Sequence, residues 1–164
     1  PKAIYSEILN ASLSGNVTIL FEDRALYDRE EKFNKSEFRK YLNETRYSKA
    51  STDKLIISYG QISYLIESSL LNTNISSYSL TNLTNVDWGR LCAIAAEYKE
   101  VLICEDTWEN CSFSSEILAQ LMLHGIKVKT RRLNLPSLPA PTHSEYEKQY
   151  FIDVKALEKF IFKK

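Results

Sequence analysis

The chain has 164 residues, 44% hydrophobic and 26% charged, the balance of an ordinary globular protein with room for one domain and a little more. Its 21 Lys and Arg offset 21 Asp and Glu, so the basic surface of a nucleic-acid-binding or membrane-surface module is absent, and the length excludes two full domains. Four glycines and four prolines are too few for the many tight turns of an all-β protein, and point to helices joined by ordinary loops.

The longest uncharged stretch, Ser68 to Val86, is crowded with Ser, Asn and Thr, so no membrane span is expected. No charged-then-apolar leader opens the chain, and three cysteines without a C-x-x-C pair read as reduced thiols of a cytoplasmic protein rather than a zinc site. Seven N-x-S/T triplets follow from the abundance of Asn and Ser and are not read as glycosylation sites. The chain starts at Pro1 and its one methionine is Met122, the mark of a piece of a longer polypeptide.

In chain order, Ile4, Ile8 and Leu9 line one side of a short helix. Gly15-Asn16 is a turn, and Val17 to Phe21 an apolar strand. Residues 23–53, dense in both charges with Tyr27, Phe33, Phe38, Tyr41 and Tyr47 as occasional anchors, read as a linker. From residue 54 to 164 strands and helices alternate. Leu55 to Tyr59 is a strand stopped by Gly60, and Ile62, Leu65, Ile66 and Leu70 recur at helical spacing. Ile75 to Leu80 is the next strand. Asp87 caps a helix that buries Leu91, Cys92, Ile94, Ala95 and Tyr98. Val101 to Cys104 is a strand running into Glu105-Asp106 and a polar loop. Ser114 or Ser115 then caps a helix carrying Ile117, Leu118, Leu121 and Met122 inward and ending at His124-Gly125. Ile126 to Leu135 alternates apolar and basic residues as an edge strand does. Pro136, Pro139 and Pro141 enforce an extended segment, and Asp153 caps a closing helix with Val154, Leu157, Phe160 and Ile161 inward. This rhythm calls for an α/β fold, a three-layer α/β/α sandwich around a mostly parallel sheet of about five strands.

In such sheets function gathers at the carboxyl ends of the strands. No glycine-rich phosphate loop is present there, only Gly60, and the first strand lacks the acids of a phosphoacceptor site. Glu105, Asp106 and Glu109 lack further metal ligands and read as an acidic strand end facing a partner. His124 sits where it can donate to the last carbonyls of a helix, and His143 lies in the proline segment. Cys92 and Cys104 read as small core residues and Cys111 as the exposed thiol. Trp88 and Trp108 fall just past strand ends, where a ring covers an interface or plugs a cleft. No catalytic, cofactor-binding or metal-binding residue is assigned.

Several motifs in order resemble the β-type subunits of thiamine-diphosphate-dependent 2-oxoacid dehydrogenases, of which pyruvate dehydrogenase is one, and the related transketolases. Leu20-Phe21-Glu22-Asp23-Arg24-Ala25-Leu26-Tyr27 is similar to the exit of their pyrimidine-binding domain. Ser48-Lys49-Ala50 with Leu55 to Gly60 resembles their G-K-A and T-I-V-x-Y-G. Val101 to Asp106 looks like V-V-V-x-E-E, and Phe113-Ser114-Ser115-Glu116-Ile117 like F-G-S-E-I. Leu138-Pro139-Ala140-Pro141 through Tyr146-Glu147 resembles the P-x-P segment.

The resemblance implies that residues 1–22 are the terminal helix and strand of a pyrimidine-binding domain, that 23–53 is a linker, and that 54–164 is a transketolase-type C-terminal domain. It implies an assembly role without catalysis. The partners would be other subunits of the enzyme and, in the dehydrogenase complexes, an acyltransferase core. Thiamine diphosphate and magnesium would be held elsewhere in the parent. Trp88, Glu105, Asp106, Trp108 and Phe113 are then the interface and docking candidates. The alternative is a free-standing α/β interaction or small-ligand module that has lost the enzyme.

Overall fold

A computed structural model of the chain describes residues 2–28, 30, 46–69 and 74–163. Among the described residues five strands form one sheet: β1 (Arg46–Ser48), β2 (Lys54–Tyr59), β3 (Ser76–Leu80), β4 (Glu100–Trp108) and β5 (Lys129–Leu135), in the order β1-β3-β2-β4-β5. β3, β2, β4 and β5 run parallel, and β1 closes one edge antiparallel to β3. The helices are α1 (Lys2–Ser14), α2 (Gly60–Ser69), α3 (Trp88–Ala95), α4 (Phe113–Leu123), α5 (Ser144–Tyr150) and α6 (Val154–Phe162).

The unbroken apolar runs of β2 and β4 are what a parallel sheet covered on both faces requires. Leu55, Ile57, Val101 and Ile103 point to one side, where Tyr78 and Leu80 join Leu91, Cys92 and Ala95 of α3 and Ile117 and Leu121 of α4. Ile56, Leu102 and Cys104 point to the other, against Ile62 and Ile66 of α2 and Leu157 and Ile161 of α6. The three-layer α/β/α sandwich read from the sequence is the observed fold. Gly60 at φ +59° turns β2 directly into α2, a conformation that favours glycine. Asp87 and Asp153 cap α3 and α6 by accepting from the amides of Arg90 and Ala156.

Several local expectations change. Val17 to Phe21 forms no strand: Val17 is 99% and Phe21 91% exposed, and no described strand lies beside them to complete a ladder. β4 continues four residues beyond Cys104, so Glu105 and Asp106 are strand residues. Within the segment read as linker, Arg46–Ser48 joins the sheet, and the Tyr47 hydroxyl meets that of Tyr98 at 2.6 Å. The expected anchors Phe33, Phe38 and Tyr41, and the helix position Leu70, lie outside the described residues. Met122 points outward, 79% exposed, because it stands about 100° around the helix from Leu121, which occupies the core stripe. α5 was not foreseen, and His143 serves as its N-cap. Among the described residues no helix is long and apolar enough to cross a membrane.

This packing sets a contrast for mutagenesis. Leu102→Ala, at the centre of β4 and fully buried, should cost about 2–5 kcal/mol in urea unfolding, whereas Met122→Ala should stay within about 0.5 kcal/mol.

Candidate functional site at the carboxyl ends of the central strands

The chain leaves β2 toward β3 on one side and continues from β4 to β5 on the other. The switch in strand order therefore falls between β2 and β4, the place where open α/β sheets form a binding crevice. Here side chains fill that crevice. Tyr59, the last residue of β2, meets Phe113 edge-on at 6.0 Å between ring centroids, and Trp88 stacks on the same ring at 5.9 Å. The Tyr59 hydroxyl donates to Glu105 Oε2 at 2.5 Å.

Glu105 is 0% exposed and organises this end of the domain. Its Oε1 accepts from the Ser114 amide at 2.8 Å and from Asn134 Nδ2 at 2.7 Å. Burial pushes its carboxyl upward, but hydrogen bonds from Ser114, Tyr59 and Asn134 outweigh burial and hold it below the usual carboxylate range. Tyr59 is raised in turn, by burial and then by its bond to Glu105. The helix cap expected of Ser114 or Ser115 is thus replaced. Ser112 occupies the N-cap position without a side-chain cap bond, and the strand carboxylate takes the first-turn amide, with the α4 dipole favouring its charge. Ser112 and Ser114 join hydroxyls at 2.8 Å, and Arg132 reaches Ser115 at 2.8 Å and Glu109 at 3.1 Å.

Beyond Glu105 the strand turns outward. Asp106 is half-buried, with Oδ1 lacking a hydrogen-bond partner, and its carboxyl is raised, first by burial and then by the charge of Asp23. Trp108, 51% exposed, donates from Nε1 to the Tyr150 hydroxyl at 2.7 Å, which in turn donates to the Leu138 carbonyl at 2.7 Å and so ties the proline segment to β4. Trp108, Leu135, Tyr150 and Phe151 wall a shallow open groove of about 430 Å³.

The five candidates from the sequence therefore divide. Trp88 and Phe113 meet, and Glu105 joins them through Tyr59, whereas Asp106 and Trp108 lie toward the groove. Glu105 is enclosed and cannot meet a partner, so its place in a docking surface is withdrawn. Trp88 and Phe113 are partly covered by one another, and Trp108 is the most open of the set. Sequence reasoning missed Tyr59 and Asn134. The one available signal was register: Cys104 pairs with Ser58 and with Leu133, which sets Glu105 beside Tyr59 and Asn134. His124 Nδ1 lies 2.9 Å from the Gln120 carbonyl, the helix-end role read for it. Among the described residues no group of three or more His, Cys, Asp or Glu could hold a metal ion.

Comparison with known proteins gives the fold a context. The profile of the family described as "Transketolase, C-terminal domain" matches residues 43–157. A solved structure described as a split-gene transketolase, an inactive β4 tetramer, superposes with a TM-score of 0.52 at 13% identity. It covers 71% of this chain and 42% of that one, so the chain spans under half the length of that protein. No curated protein sequence matches. The crevice residues do not fit a diphosphate and its metal: aromatic rings fill the space, and both oxygens of Glu105 are engaged.

Two measurements check this site. Stability should be level near neutrality and fall as the pH drops below about 4, because a carboxyl depressed in the folded state stabilises only above its unfolded pKa and that contribution is lost as the folded group protonates. Glu105→Gln, which sets an amide donor among donors, should cost about 1.5–3 kcal/mol at pH 7 and flatten that acid limb in urea unfolding. Thiol titration of the native chain should read one reactive cysteine, Cys111, and three after unfolding. Cys92 is buried with its thiol raised by burial, and burial pushes Cys104 to about 12.

Proposed function

From the premise that this chain belongs to the transketolase C-terminal domain family, we infer that it is the assembly domain of a thiamine-diphosphate-dependent enzyme of the 2-oxoacid dehydrogenase or transketolase group. It contributes subunit contacts and no catalytic group. The boundaries that go with this reading are an upstream-domain remnant at 1–22, a linker from residue 23, and a domain proper that reaches back from residue 54 to Arg46, whose strand β1 belongs to its sheet, and runs to residue 164.

One observation carries the proposal. The domain closes its own two cores on either face of the sheet, yet the segment before it presents a row of large apolar side chains to solvent: Ile8 and Leu13 of α1, then Val17, Ile19 and Phe21. Exposed apolar surface of this extent marks a contact site, and an apolar run in extended backbone suits addition to a neighbouring sheet. Trp108 and the adjacent groove supply a second apolar surface, and Asp106 an acid at its border, for other subunits of the enzyme or an acyltransferase core.

Two results are expected. Calorimetry of the 164-residue chain with thiamine diphosphate and Mg²⁺ should register no binding at micromolar concentration, and micromolar affinity would overturn the division of roles. In the full-length subunit, Val17→Asp with Phe21→Asp should shift the light-scattering mass from oligomer toward smaller species. The same double change in the 164-residue chain should leave its thermal midpoint unmoved, since these side chains pack on nothing there.

A further inference from the structure

After β5 the chain runs from Pro136 to Phe151 before it returns to the core at Ile152. Both ends are fixed, since Leu135 and Ile152 are buried and belong to the same core cluster. Between them no residue is buried: Leu138 and Tyr146 are each 63% exposed, and α5 turns none of its side chains inward. Pro136, Pro139 and Pro141 carry no amide proton, so the segment cannot extend the ladder of β5. Its backbone bonds close on the segment itself. The amide of Leu138 donates to the Pro136 carbonyl at 2.7 Å, that of Glu147 to the His143 carbonyl at 2.9 Å and that of Phe151 to the Glu147 carbonyl at 3.2 Å. The rings of His143 and Tyr146 pair within it as well.

Among the described residues one hydrogen bond joins this segment to the sheet, from Trp108 Nε1 to the Tyr150 hydroxyl at 2.7 Å. Tyr150 is also the residue of the segment that packs against the core, and its hydroxyl donates onward to the Leu138 carbonyl, so one side chain gathers both arms of the segment. A stretch bonded to itself, anchored at two buried ends and tied down at one point loses little apolar contact when it lifts. Such a stretch belongs to the low-cost end of local opening, far below the cost of unfolding the sheet.

We propose that residues 136–151 are a hinged strap that opens as a unit on Leu135 and Ile152 while the sheet stays folded, with the contact between Trp108 and Tyr150 as its latch. Closed, the strap contributes Ala140, Tyr150 and Phe151 to the groove, opposite Trp108, Cys111 and Leu135. Open, it withdraws those three walls and bares the Trp108 ring and the end of β5. The latch thus sets how much apolar surface this rim offers. The opening follows from the strap's own attachments; only its use in regulating contact with another subunit rests on the assembly role.

The test is amide hydrogen exchange of the native 164-residue chain over a series of urea concentrations below its unfolding transition. The amides of Glu147 and Phe151 should be protected and should exchange through an opening that depends only weakly on urea, while those of Leu102 and Ile103 carry the full urea dependence of global unfolding. Trp108→Phe removes the bond to the strap, and Tyr150→Phe removes the hydroxyl's bonds with the ring retained. Each should lower protection at Glu147 and Phe151 about two- to tenfold, the worth of one ordinary hydrogen bond. Ile117→Val, a change in the core on the far face of the sheet, should lower protection at Leu102 and Ile103 by a similar factor and leave Glu147 and Phe151 as they were, because the strap opens without unfolding that core. Strap amides that carry the full urea dependence, that lack protection in the unsubstituted chain, that keep it in both latch variants or that lose it in Ile117→Val overturn the proposal. None of these outcomes bears on oligomer mass, by which the assembly role stands or falls.

Discussion

A carboxylate placed inside an apolar sheet is the constraint on which the upper end of this domain depends. An unpaired charge at full burial is costly, and Glu105 is satisfied by neutral donors from three different elements: the hydroxyl ending β2, the amide opening α4 and the side-chain amide on β5. Each donor is in reach only if β2, β4 and β5 keep their register and α4 starts where it does. The carboxylate therefore fixes the approach of α4 to the sheet, and with it the position of Phe113, on which Tyr59 and Trp88 pack. The filling of the crevice follows from that geometry.

The other end of β4 handles its acid differently. Glu100 is met by cations, two of them on exposed or half-exposed arms, and the cluster fastens α6 through Lys54 and Phe160. Pairs of that kind weaken as salt rises, while hydrogen bonds sealed from solvent are little affected. One strand thus carries a salt-sensitive clasp at its start and a salt-insensitive one near its finish.

Much of the fold was legible because burial on both faces leaves a plain signal. The runs Leu55 to Tyr59 and Val101 to Cys104, and the caps Asp87 and Asp153, appear where the pattern puts them. The pattern misled where an apolar run has no neighbour, as at Val17 to Phe21, since alternation reports a preference for burial and cannot supply the surface that provides it. It also misled at Glu105, read as a surface acid because acids are almost never fully buried unless paired. Its partners are far away in the chain, at Tyr59, Ser114 and Asn134, and only the strand register brings them together. Trp88 stands out by its place just past a strand end and Phe113 by the motif resemblance, but their mutual stacking depends on how α3 and α4 share one face, which no local window contains.

β1 adds a point about direction. Because it runs against its neighbour, Arg46 pairs with Ser79 near the carboxyl end of β3 and Ser48 with Ser77 further back. The polypeptide thus enters the sheet from the end at which the parallel strands finish. Thr81, immediately after β3, bonds to Glu7 of α1 at 3.1 Å, and Asp23 bears on Asp106 from the same side. One reversed strand of three residues is enough to make the threshold of the domain and its chemically richest rim the same place. Arg46 therefore stands at the mouth of the filled crevice and not at its base, on the rim that carries Thr81 and Asp106 and a strand's length away from the cationic foot of the sheet.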